Sequence, residues 1–87
     1  MVEFYLCESD SCASCQTVMQ SAVLIAKDYG IKLSYISDLV KIDELASSYH
    51  LERLPALLLM KDGIFQGVVY GYQPYEILAY WVEGYLN

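Results

Sequence analysis

The chain predicts an α/β sandwich with the element order βαβαββα around a mixed four-stranded sheet. Three observations carry this prediction. Short apolar runs rich in β-favouring residues alternate with segments whose apolar positions repeat at helical spacing. Leu54-Pro55 interrupts the chain immediately before its most hydrophobic run, Ala56 to Met60, and the residue before a proline is pushed out of the α region. Lys61-Asp62-Gly63 then comes with the Asp-Gly pair favoured in hairpins, so the last two strands are expected to be antiparallel neighbours.

Val2 to Leu6, broken only by Glu3, reads as a buried parallel strand, with Cys7 at its end. Cys7 to Ser11 is polar, and Asp10 or Ser11 is placed to cap the first helix. Cys15, Val18, Met19, Ala22, Val23, Ile25, Ala26 and Tyr29 form the stripe of a core-facing helix over 15–29, and Gly30 stands where a C-cap glycine belongs. Ile31 to Ile36 reads as a second strand, in which Ile31, Leu33 and Tyr35 alternate with Lys32 and Ser34. A second helix is expected from Ile42 to Tyr49, with Leu45, Ala46 and Tyr49 inward and Asp43 and Glu44 in its first turn. Ala56 to Met60 is the central strand, and Ile64 to Tyr70 returns antiparallel before Gly71. Pro74 fits the first position of a last helix, Tyr75 to Tyr85, with Ile77, Leu78, Trp81, Val82 and Tyr85 on its apolar face.

An 87-residue chain has room for one domain, 1–87, and one modest core. With 56% hydrophobic and 18% charged residues it is a folding sequence and not a disordered one. A net charge of −6 with only five Lys and Arg argues against nucleic acid or an anionic membrane as partner. No apolar stretch approaches the roughly 20 residues that span a bilayer. The N-terminal run has no basic region or cleavage site ahead of it, so the expected location is cytoplasmic; the expected state is a monomer. Three cysteines, two of them close together, point to redox or metal chemistry and not to a disulfide framework.

The chemistry concentrates in Cys12-Ala13-Ser14-Cys15, at a strand-to-helix turn. Unpaired backbone N–H groups and the positive end of the helix dipole favour a thiolate there. A second thiol three residues on can resolve the mixed disulfide that the first one forms. A Cys-x-x-Cys in this setting, with Leu54-Pro55 before an apolar strand and Gly71 eight residues after Gly63, resembles the thioredoxin/glutaredoxin superfamily over nearly the whole chain. Tyr49 to Gly63 is similar to the thioredoxin segment that carries a cis-proline.

The resemblance implies a thioredoxin-like fold and a small thiol–disulfide oxidoreductase. It implies a cis bond before Pro55, packed against the two cysteines and keeping metal from them. Cys12 would be the nucleophile and Cys15 the resolving thiol. Leu54 would pair by its backbone with the substrate, with Gly71 and Tyr72 bordering the groove. Glu3 would stand where thioredoxins have a buried acid that assists proton transfer. No cofactor is implied. The implied partners are protein disulfides, ribonucleotide reductase among them, and a thioredoxin reductase-like flavoprotein that recycles the dithiol.

Several residues depart from the family. Ala13-Ser14 is neither Gly-Pro nor Pro-Tyr, no tryptophan precedes Cys12, the loop ahead of it is about two residues longer than usual, and Ala56 stands where threonine is common. That leaves the direction of electron flow open. Glu8 and Asp10 in the loop disfavour anionic glutathione and favour protein disulfides as substrates.

Two other classes stand beside this one. A non-catalytic binding module of the same fold would have a cysteine pair indifferent to mutation. A metal protein could use Cys7, Cys12 and Cys15, whose Cys-x4-Cys-x2-Cys spacing matches the first three positions of plant-type [2Fe–2S] proteins, or add His50 as a fourth zinc ligand. Cys7 itself reads as a core thiol, and Cys7–Cys12 is an alternative pairing to Cys12–Cys15.

Overall fold

The computed structural model describes residues 2–8 and 15–86, and of residues 15 and 16 only the backbone. The elements are β1 (Val2–Cys7), α1 (Cys15–Tyr29), β2 (Lys32–Ile36), α2 (Leu39–Tyr49), β3 (Ala56–Lys61), β4 (Ile64–Tyr70) and α3 (Tyr75–Leu86). The sheet order is β2-β1-β3-β4. β1 runs parallel to β2 and antiparallel to β3, and β3 runs antiparallel to β4, so the sheet is mixed as expected.

The side-chain alternation of β1 decides which helix covers which face. Phe4 and Leu6 point into a cluster with Val18, Ala22, Ile25 and Ala26 of α1 and Leu78 and Val82 of α3. Tyr5 and Cys7 point the other way, toward Ile42 and Leu45 of α2. β3 supplies Leu57 and Leu59 to the first face and Ala56, Leu58 and Met60 to the second. A strand buried on both faces has no use for polar alternation, which is why this run is continuously apolar. Burying a leucine or phenylalanine side chain of this kind contributes roughly 1.5–3 kcal/mol.

The helix ends reflect local chemistry. α1 stops at Gly30, whose φ of 65° suits the left-handed region, while Ile31 N–H donates to Ala26 O at 2.8 Å. α2 ends the same way without a glycine: His50 takes φ 57°, and Leu51 N–H donates to Ala46 O at 3.2 Å.

Five boundaries differ from the sequence reading, the simplest being α3, which runs to Leu86 and not Tyr85. α2 begins at Leu39 and not at Ile42, because the Asp38 carboxylate accepts from Val40 N–H at 3.0 Å and its carbonyl accepts from Ile42 N–H at 2.9 Å. Asp43 and Glu44 therefore fall in the second turn. Pro74 lies one place outside α3, its carbonyl accepting from Leu78 N–H at 3.1 Å in the manner of a cap. β2 begins at Lys32, since Ile31 belongs to the α1 cap. β3 runs one residue further, to Lys61, which pairs with Ile64 across the hairpin.

Candidate functional site

β1 and β2 end, and β3 begins, at the same edge of the molecule. Cys7 is level with Ile36 on one side and with Ala56 on the other. Tyr70 is opposite Ala56, so β4 also arrives there. Gly71 N–H donates to Pro55 O at 3.0 Å, which ties the end of β4 to the residue that opens β3. Gly71 takes φ 69°, a conformation that favours glycine. The Leu54–Pro55 bond is cis, Pro55 is buried and Leu54 half-buried. Tyr72 is 48% exposed directly beyond Gly71. These four residues form one lip, at the end of the sheet from which residues 9–14 lead into α1.

Cys15 is the first residue of α1. Its backbone therefore starts a 15-residue helix, where the unpaired N–H groups and the dipole favour an anion. Cys12 lies outside the described residues, so neither the Cys12–Cys15 nor the Cys7–Cys12 pairing has a geometry here.

Cys7 has no solvent exposure and is a free thiol. Burial pushes its pKa up from 9.0 to about 11, so it is a protonated core residue at neutral pH. It faces α2, whereas α1 covers the opposite face of the sheet. His50 is exposed at the far end of α2, and among the described residues no three potential metal ligands converge.

Glu3 is placed at the wrong end for the role the resemblance gave it. It is level with Lys32 at the start of β2 and with Met60 near the end of β3, about 16 Å of strand away from Glu8 at roughly 3.3 Å per residue. Glu8 is a buried carboxylate at the end where Cys7, Ala56 and Pro55 meet. Its N–H donates to Ile36 O at 3.2 Å, so the backbone stays alongside β2 for one more residue. Only 3% of Glu8 is exposed, and its Oε2 has no hydrogen-bond partner among the described residues. In the sequence Glu8 reads as part of a polar loop; the signal against that is the apolar run Phe4 to Cys7, which leaves no turn residue between strand and glutamate.

Tyr75, three residues beyond Tyr72, is engaged elsewhere. Its hydroxyl donates to Asp28 Oδ2 at 2.6 Å, at the opposite end of α1 from Cys15.

No protein-family profile matches the sequence, and no curated protein matches it either. Solved structures do. A thioredoxin variant from Halobacterium salinarum superposes with a TM-score of 0.83 at 26% identity, over 99% of this chain and 75% of that one. A structure described as a malarial protein gives 0.79 at 20% identity, over 100% of this chain and 99% of its own. Thioredoxin from Aeropyrum pernix gives 0.77 at 13% identity, over 97% and 74%. The chain is a small thioredoxin-like protein, and its three helices on a mixed four-stranded sheet are the thioredoxin-like α/β arrangement. No helix among the described residues is long and apolar enough to cross a membrane.

Proposed function

We propose that the protein is a thiol–disulfide oxidoreductase acting on protein disulfides through Cys12 and Cys15. The observation that carries this reading is the convergence of Leu54, Pro55, Gly71 and Tyr72 at the end of the sheet where α1 opens on Cys15. In the reducing direction the Cys12 thiolate attacks one sulfur of a client disulfide. That S–S bond breaks, the first client sulfur leaves as a thiolate that takes up a proton, and a mixed disulfide with Cys12 forms. Cys15, once deprotonated, attacks the Cys12 sulfur and releases the second client thiol. Two electrons and two protons pass to the client, and a Cys12–Cys15 disulfide remains. A flavoprotein reductase of the thioredoxin reductase type is the proposed source of the electrons that restore it.

Glu8, and not Glu3, is the carboxylate proposed to take the Cys15 proton in the second step. Its burial at the end of β1 and an Oε2 with no partner among the described residues support that role. Leu54 is the residue proposed to offer its backbone to the client, with the exposed ring of Tyr72 nearby.

Cys15→Ser tests the assignment. The variant is expected to accumulate a mixed disulfide through Cys12 with a peptide disulfide, visible by mass, while wild type turns over and reduces insulin. A variant that traps nothing, with Cys15 reactive in the reverse Cys12→Ser protein, would reverse the two roles. Wild type that neither reduces insulin nor forms the adduct would leave a binding module of the same fold.

A further inference from the structure

The loop between α2 and β3 carries a cation beside the cis-proline. Arg53 is exposed and stands two residues before Pro55, with its guanidinium carbon 5.4 Å from the centre of the Tyr70 ring. Tyr70 is itself held, because its hydroxyl accepts from Glu52 N–H at 3.1 Å and its backbone is level with Ala56. The ring is therefore a fixed platform, and a guanidinium resting on it loses little further freedom on binding a ligand. The contact is with the ring, and the N–H donors have no partner among the described residues. Two carboxylates are near in the fold: Glu52 is adjacent in sequence, and Asp43 lines the same crevice of about 180 Å³ beneath the loop. Among the described residues neither is paired with Arg53, and Arg53 has no other ion pair or hydrogen bond.

A planar fork with uncommitted donors matches one carboxylate in a bidentate pair. A phosphate group or an acidic run fits poorly, because Arg53 is the only arginine of a chain whose net charge is −6. We propose that Arg53 is a specificity-determining residue that favours protein clients with a single Asp or Glu within about two residues of the reactive cysteine. This rests on the disulfide-exchange reading, in which a client laid along Leu54 lies beside the residue that precedes it, Arg53.

The test uses disulfide-linked peptides that differ only at the position beside the reactive cysteine, Glu, Gln or Lys, with glutathione disulfide as a fourth substrate. Wild type is expected to prefer the Glu peptide over the Gln peptide by about five-fold in kcat/KM at low salt, a preference that shrinks as salt rises. The ratio falls to about one in Arg53→Gln and inverts toward the Lys peptide in Arg53→Glu. Comparing two substrates on one variant cancels any loss of folded protein. A wild-type ratio of one, a ratio that survives Arg53→Gln, or an Arg53→Gln defect confined to glutathione disulfide would each overturn the inference while leaving disulfide exchange intact. Reduction of none of the peptides would overturn both.

Discussion

Glu8 and Cys7 are consecutive residues whose environments set them apart from the rest of the surface chemistry. A buried carboxylate oxygen without a partner costs stability, and such a cost is common where function requires the group. Glu8→Leu is therefore expected to stabilise the fold by about 1–2 kcal/mol, raising Tm by several degrees, while slowing insulin reduction at least ten-fold. Paired thermal melts and turnover assays check both halves. Cys7 gives a prediction in pH. The folded state holds the proton to about pH 11, whereas the unfolded chain releases it near 9.0. The thiol's contribution is thus complete below about pH 9 and is lost as pH rises through the interval to about 11. Denaturant unfolding of wild type and Cys7→Ala across that range should show a shallower decline in the variant.

The two αL helix ends separate what was legible from what was not. Gly30 announces the end of α1 in the sequence, because glycine adopts a positive φ without penalty. His50 does the same work for α2 with no such signal, and it holds φ 57° with a side chain attached. His50→Gly is expected to stabilise the protein by about 0.5–1 kcal/mol, read from a urea midpoint at unchanged slope. The start of α2 was hidden for a different reason. Leu39 and Val40 are 66% and 67% exposed, so the inward stripe begins only at Ile42, one turn after the cap at Asp38. The strands were clear because β3 and β4 combine continuous or half-buried apolar character with the Asp62-Gly63 turn. At the candidate site, the proline, the glycine and the start of α1 could be read from residue type. The burial of Glu8 and the seat of Arg53 on Tyr70 are contacts between segments far apart in sequence, and no local pattern encodes them.

Across the whole molecule, α1 and α3 are fastened on one face by two phenol–carboxylate bonds. Tyr75 donates to Asp28 Oδ2 at 2.6 Å, and Tyr29 donates to Glu83 Oε2 at 2.7 Å. The hydrogen bond to Asp28 pushes the Tyr75 pKa up to about 12, and that to Glu83 raises Tyr29 as well. Both phenols keep their protons past their ordinary value near 10, so both can still donate at that pH. The Tyr75 contribution is lost as pH rises from the unfolded value near 10 toward 12, and the Tyr29 contribution is likewise lost on the alkaline side. Tyr75→Phe should flatten the alkaline limb of the stability profile without altering the acid limb, as measured by circular dichroism melts from about pH 5 to about pH 11.5. Between the fastened helices and the sheet, Phe4 stacks on Trp81 at 6.3 Å and Trp81 meets Tyr85 edge-on at 5.9 Å. Gly67 lets this group approach β4, since a Cβ there would sit 3.0 Å from the Tyr85 hydroxyl.

The strand order also governs the timing of synthesis. β1 is central, yet its antiparallel partner runs from Ala56 to Lys61, so the pairs Cys7–Ala56 and Val2–Lys61 join residues 49 and 59 positions apart. A nascent chain can assemble β1, α1 and β2 once residue 36 is made, but one edge of β1 then has no neighbour. At translation rates of about 5–20 residues per second, the residues that close that edge arrive roughly 1–5 s later. An uncovered strand edge is a template for pairing with other chains, and closing a long loop is a slow step in folding. A chain that stops short of β3 is therefore expected to aggregate more readily than the complete one, as light scattering of a 1–55 fragment beside the full chain would show.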